Sequence, residues 1–245
     1  MRPPRADLAA RTSPTAPGDL VLVPLGSLEQ HGPHLPLGTD TTIATAVAGA
    51  LAERAQNAGL AASAAPPVPF GASGEHEGFD GTVSIGTEAL AAVLVELGRS
   101  ASRWAVRLVF VNGHGGNVDA LRTAVPLLRS EGRDAAWLAC APGPDAPTPD
   151  PHAGRHETSL LLHLDPVAVR TDLAEAGDVR PLAEILPLLR AGGVAAVAPN
   201  GVLGDPTAAT AQLGAALFAS MCAEAWAALT TGTVAPDGRL TGPAS

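Results

Sequence analysis

Two apolar, β-branched runs constrain this chain most: "DLVLVPLG" at 19–26 and "VRLVFVNG" at 106–113. Each leads through a glycine-containing loop into a segment of helical length. A strand that is apolar on both faces must be covered on both faces. Strands alternating with helices satisfy this by forming a mostly parallel sheet between helical layers, so the fold class is α/β. "AASAAPPVPFG" reads as a weak strand and "DAAWLACAP" as a better one. Helices are expected over "TTIATAVAGALAERAQ" with Thr39 or Asp40 as cap, "TEALAAVLVELGRSASRW" with Thr87 as cap, and "NVDALRTAVPLLRSEG" ending at Gly132. A short helix over "HETSLLLHLDP" stops near Pro166, and a kinked one covers "DVRPLAEILPLLRAGG". The last, "DPTAATAQLGAALFASMCAEAWAALTTG", takes Asp205 as cap and Pro206 in its first turn.

The 245 residues suffice for one large domain. We expect a catalytic domain over 18–231, a flexible N-terminal arm over 1–17 and a flexible C-terminal tail over 232–245. No apolar run looks long enough to span a membrane, and the first residues lack the apolar core of a signal peptide. A net charge of −9 argues against nucleic acid and anionic membranes as partners. Cys140 and Cys222 have no motif spacing, which suggests reduced thiols in a cytoplasm. Lysine and tyrosine are absent, so P-loop, Schiff-base and carbamylated-lysine chemistry are excluded. Chemistry falls to His, Asp, Glu, Ser and Thr.

Six of the seven histidines bunch in four short loops: His31 with His34, His76, His114, and His152 with His156. "EQHGPHLPLGTD" leaves the first strand with Glu29, His31 and Asp40. "VNGHGGN" delivers His114 from the end of the most clearly buried strand, between glycines that allow close approach. "HAGRHETS" offers His152 and Glu157. One such loop alone is more often structural. Four together, without cysteine, suit zinc, iron(II) or manganese. Glu29, Asp40 and Glu157 with one hydroxide balance two divalent ions, and a water shared by such ions would be acidic near neutral pH. His34 is expected to hold its loop by hydrogen bonds. His156 and His163 read as surface or core residues, and Glu75 and His76 as supporting or solvated. The G-x-G-x-x-G and G-x-S-x-G patterns are absent, so dinucleotide-binding and α/β-hydrolase readings lack support.

"EQHGPHLPLGTD", "SGEHEGFDGTVSI", "VNGHGGN" and "HAGRHETS" resemble, in order and spacing, the creatininase family of metal-dependent amidohydrolases, over about residues 19–230. The resemblance implies a three-layer α/β/α sandwich, a two-metal site at the ends of parallel strands, and a homo-oligomer. It implies that Glu29, Asp40 and His114 hold one metal and that His31 and Asp40 hold the other. Ser73 matches a substrate-contacting serine and His152 a proton-transferring histidine. Creatinine-hydrolysing members carry a glutamate where this chain has Gly116. Glu157 is therefore expected to complete the second metal site, and Gly115 and Gly116 are expected to leave room for a larger substrate.

"FGASGEHEGFDGTVSIGTEAL", "HETSLLLHL" and "AGGVAAVAPNGVLGDPTAAT" resemble, within that family, the peptide-trimming group of the mycofactocin system. That likeness implies hydrolysis of one peptide bond near the C-terminus of a modified precursor peptide, releasing a Val-Tyr-derived pyrrolidinone unit. Creatinine ring opening and formamidopyrimidine-type deformylation are the alternatives in the same class. A non-catalytic metal-binding assembly subunit is the alternative from another. Of the arginines, only Arg155 lies in the four loops, so few cations are expected there to clamp a substrate carboxylate.

Overall fold

The computed structural model describes residues 6–13, 20–144, 146 and 150–242. Four strands, β1 (Leu20–Leu25), β2 (Ala62–Ala64), β3 (Arg107–Asn112) and β4 (Ala135–Ala139), form a wholly parallel sheet in the order β2-β1-β3-β4. Helices α1 (Thr39–Asn57), α4 (Arg155–Leu164) and α6 (Ala211–Thr231) cover one face. Helices α2 (Thr87–Ala101) and α3 (Val118–Ser130) cover the other. Alternate strand residues feed the two cores: Leu20, Leu22, Val109 and Val111 join the first, and Val21, Val23, Leu108 and Phe110 the second. This is the three-layer α/β/α sandwich expected.

The sheet order positions the site. From β1 the chain crosses to β2 on one side and then to β3 on the other, so the loops leaving β1 and β3 diverge at their shared C-terminal end. That is the switch point where α/β sheets open a crevice. Leu25 pairs with Asn112 at this end, and Gly113 N donates to Leu25 O at 2.8 Å. Both carbon-terminal loops therefore start at the same height.

Several local expectations change. Thr39 and Asp40 do not cap α1, whose N-cap is Gly38; Thr39 Oγ1 donates to Pro36 O, which leaves the Asp40 carboxylate free to point into the site. Gly86, not Thr87, is the N-cap of α2. Asp205 caps only a 3₁₀ turn, Pro206–Ala208, and α6 starts at Ala211 with Thr210 Oγ1 accepting from Leu213 N at 3.1 Å. By length and composition α6 does meet the test for a membrane span, contrary to the sequence reading. Here it packs on α4 and α1: a Cβ at Gly214 would collide with Ser159 O of α4, so the two backbones cross in close contact.

Residues 232–242 are not a loose tail. β5 (Thr233–Val234) and β6 (Leu240–Thr241) form a hairpin, Trp137 N donates to Gly238 O at 3.0 Å, and Leu240 is buried. Near the other end, Ala64 N donates to Ala6 O at 2.7 Å and Leu8 N to Ala64 O at 2.9 Å, so part of the expected arm is bound. Both flanks of the sheet are thereby covered by backbone from the chain's ends, which satisfies groups that edge strands leave open.

Candidate metal centre

The loop after β1 is folded back on itself, with Glu29 N donating to Leu37 O at 3.1 Å. This buries Glu29 and His31 completely. His31 Nδ1 donates to the Glu29 carbonyl at 3.0 Å, which directs Nε2 towards Asp40 Oδ1 at 3.3 Å and Glu157 Oε2 at 3.9 Å. A backbone acceptor on one ring nitrogen is how proteins orient an imidazole whose other nitrogen binds metal. Asp40, in the first turn of α1, turns its other oxygen towards His114: Oδ2 lies 3.3 Å from His114 Nδ1, which is also 3.1 Å from Glu29 Oε1.

His114 is presented by an asparagine scaffold that the sequence reading did not single out. Asn112 Nδ2 donates to His114 O at 2.7 Å, and Asn117 Nδ2 donates to Asn112 Oδ1 at 3.1 Å and to Gly26 O at 2.9 Å. Asn117 Oδ1 accepts from Ala72 N at 2.9 Å, which ties a third loop to the same point.

Three donor sets have ligand atoms within 4.8 Å of one another: Glu29, Asp40 and His114; His31, Asp40 and Glu157; and Glu29, His31 and His152. The first two share Asp40. Both Glu29 carboxylate oxygens and Asp40 Oδ2 are buried and have no hydrogen-bond partner among the described residues. Buried carboxylate oxygens without partners are costly. A divalent cation would compensate them, so the residues present fit such an ion.

The electrostatics are those of a site built around positive charge. Burial disfavours protonated His31, but Asp40, Glu157 and Glu29 outweigh it and hold its pKa at about 9. Burial likewise disfavours protonated His114, and Asp40 and Glu29 reverse the effect. Burial acts against ionised Asp40, but His31 and His114 hold it ionised, below the usual carboxylate range. Glu157 is pushed up to about 7 by burial, which His31 only partly offsets. The hydrogen bond from Ala153 N to Glu157 Oε2, 2.6 Å long, fixes this carboxylate from a residue with φ of 53°, a strained conformation for alanine.

His152 is buried, its Nε2 donates to Gln30 O at 2.8 Å, and its Nδ1 lies 3.8 Å from Glu29 Oε1. Burial and the neighbouring His31 and His76 keep it neutral. His76 is more than a solvated loop residue: it is buried, with Nε2 3.4 Å from Glu29 Oε1 and Nδ1 accepting from Gln30 Nε2 at 2.9 Å. His34 bonds Thr158 Oγ1 at 2.8 Å and belongs to none of the three donor sets. His156 is buried beside Asp150 and the His163 ring lies tilted against Phe218, and neither belongs to these sets.

A cavity of about 550 Å3 opens onto the cluster, lined in part by Asp40, Glu75, His114, Gly115, Gly116, His152 and Glu157. Ser73 is not in its lining: it is fully buried, with its hydroxyl against Ser27 and 3.4 Å from His114 Nε2. The expected room at Gly116 is also not there. A Cβ at Gly116 would fall 2.5 Å from His114 Nε2 and 2.8 Å from Glu75 Oε1, and against Ala72 O. Gly115, by contrast, faces open space. The arginine in the lining is Arg190, from helix α5 (Leu182–Gly192), and not Arg155. The sequence reading missed it because α5 lies outside the histidine loops.

A family model for creatininases, described as creatinine amidohydrolase, matches residues 7–229. This chain belongs to the creatininase family. Among creatininase-family relatives, the mycofactocin precursor peptide peptidase of Mycobacterium ulcerans is 55% identical over 246 residues, 98% of this chain and 96% of that protein. The protein of the same name from Mycolicibacterium smegmatis is 61% identical over 203 residues, covering 82% and 81%. A tryptophan-to-phenylalanine variant of creatininase superposes with a TM-score of 0.70 at 26% identity, over 86% of this chain and 90% of that one. A zinc–zinc creatininase variant and a manganese creatininase each superpose with a TM-score of 0.68 at 26% identity, over 84% and 89% of this chain and 87% and 90% of theirs. The chain is thus a hydrolase of a metal-dependent family, with grouped side chains able to bind metal.

Proposed function

We propose that this protein is a two-metal peptidase that cuts one peptide bond near the C-terminus of the modified mycofactocin precursor peptide, releasing the Val-Tyr-derived pyrrolidinone unit. One observation carries the two-metal part: Asp40 turns one oxygen to His31 and the other to His114, at 3.3 Å each, beside buried Glu29 carboxylate oxygens that accept no hydrogen bond from the described residues. Names of relatives more than half identical over most of the chain support the substrate.

In this reading Glu29, Asp40 and His114 hold one divalent ion, and His31, Asp40 and Glu157 the other; zinc and iron(II) suit these donors, and manganese fits as well. Such ions supply a polarised carbonyl and an acidified water. His152 does the proton work. Its Nε2 proton is engaged by Gln30 O, so Nδ1 is the nitrogen that takes a proton from the attacking water and gives it to the leaving amine. Gly115, open to the cavity, lets the peptide backbone approach. Gly116 shapes the floor, and Ser73 acts from beneath by holding His114. The enzyme is cytoplasmic and homo-oligomeric in this reading, with its peptide as partner and neither nucleic acid nor membrane.

The test compares modified precursor, unmodified precursor and creatinine under identical metal loading, with products followed by mass spectrometry. The modified peptide should be cleaved just before the crosslinked unit and creatinine left intact. Faster turnover of creatinine would overturn the peptidase reading, and no turnover at full metal loading would favour an assembly subunit.

A further inference from the structure

One wall of the cavity is supplied by α5. Leu182, Leu186, Leu189 and Arg190 line it, at spacings of four, three and one that place them on a single helical face. Folding consumes this face only in part: Leu189 packs against the cluster around Ile185, while Leu182 and Arg190 are exposed. The only residue of α5 that is fully buried is Ile185, which joins a small cluster with Val194, Ala198 and Leu203, separate from both main cores. Leu182 remains 47% exposed, so an apolar surface faces a space meant for a ligand.

The charge pattern is equally uneven. The cavity is lined by four acids, Asp40, Glu75, Asp119 and Glu157, and by one arginine, Arg190. Arg99, Arg122, Arg133, Arg170 and Arg180 all pair with carboxylates. Among the described residues no ion pair is seen for Arg190. With metal bound, Asp40 and Glu157 would be neutralised, so Glu75 and Asp119 are the acids left to repel an anion, and Arg190 is the arginine whose planar fork suits a carboxylate.

We propose that α5 is the substrate-selecting element: its leucine face binds an apolar segment of the peptide and Arg190 binds a carboxylate that the peptide carries away from the scissile bond. This rests on the peptidase reading and gives it a recognition surface outside the metal loops. A contact made equally in the bound substrate and the transition state acts on KM and leaves kcat unchanged, and that is the signature expected of Arg190.

The experiment measures kcat and KM for wild type, Arg190→Gln and Arg190→Lys on the modified precursor peptide, and on peptides whose carboxylates are replaced one at a time by amides. Metal content and circular dichroism establish that the variants are loaded and folded. Arg190→Gln should raise KM roughly ten- to hundredfold, with kcat within about twofold of wild type. Arg190→Lys should recover part of the loss. One amide-substituted peptide should show the same rise with wild type and no further rise with Arg190→Gln, as coupled partners do. Wild-type cleavage with an unchanged KM in Arg190→Gln, or a fall in kcat alone, overturns this inference and leaves the peptidase reading standing. Failure of wild type to cleave the modified peptide removes that reading and this inference with it.

Discussion

The carboxylate of Glu75 stands where a side chain at Gly116 would have to go: a Cβ there would lie 2.8 Å from Glu75 Oε1. Creatinine-hydrolysing relatives were expected to place a glutamate at this position. In this chain the backbone carbonyl of Ala72 and the His114 ring close the same space. Gly116→Glu should therefore fail to restore a creatininase-like ligand. It should displace His114 and lower both metal content and peptide cleavage. Full metal occupancy with new creatinine hydrolysis in that variant would contradict the packing argument.

Asp40 is shared by two of the three donor sets. Asp40→Ala should lose both metals and all activity, while Glu157→Gln should weaken one metal selectively. Elemental analysis of the purified variants reads this directly. Two metals retained in Asp40→Ala would end the shared-ligand assignment.

His152 is assigned to proton transfer, yet it also belongs to a donor set with Glu29 and His31. The two roles separate in His152→Ala. A proton carrier should leave metal content unchanged while kcat falls by roughly 10²–10⁴. Loss of a metal would make His152 a ligand.

Proton and metal compete for the same atoms. In the metal-free protein His31 stays protonated to a pKa of about 9, and His114 is also raised. The folded state thus holds protons that the unfolded chain releases above about 6.5. Stability from these two groups is present below that pH and is lost as pH rises through the folded values. Metal-free protein should show a falling Tm from pH 6.5 to 9. Metal binding, which needs these nitrogens deprotonated, should strengthen over the same range. Calorimetry with and without metal tests both signs. A metal-free Tm that rises through this range would contradict them.

The C-terminal hairpin is expected to be part of the fold. Trp137 Nε1 donates to Asp237 O at 3.0 Å, and the Arg239 guanidinium lies 5.5 Å from the Trp137 ring centre. Truncation after Thr231 removes these contacts and uncovers the buried Trp137. It should lower Tm by several degrees or give insoluble protein, since about 1 kcal/mol already shifts Tm by roughly 2–4 °C in a domain of this size. An unchanged Tm would return residues 232–242 to the status of a tail.

The sheet and its flanking helices were legible because burial on both faces leaves a chemical mark: "LVLVPL", and "LVFV" within β3, are apolar at successive positions, as parallel strands covered on both faces are. The Glu29, His31, Asp40 and His114 set was legible for a related reason, because each follows a core element closely enough for short loops to bring them together. Loops carry no such period. The roles of Gln30, Asn112 and Asn117 depend on hydrogen bonds between segments up to 171 residues apart, and nothing local in an asparagine or glutamine announces a distant partner. Gly116 illustrates the limit. From sequence, glycine means an absent side chain and therefore space. Only the tertiary structure decides what else fills that space, and here Ala72, Glu75 and His114 do. Arg190 is the converse case, a residue in an unremarkable helix that enters the cavity because α5 packs beside it. The sequence by itself determined which groups could do chemistry; the packing of distant segments determined which of them meet.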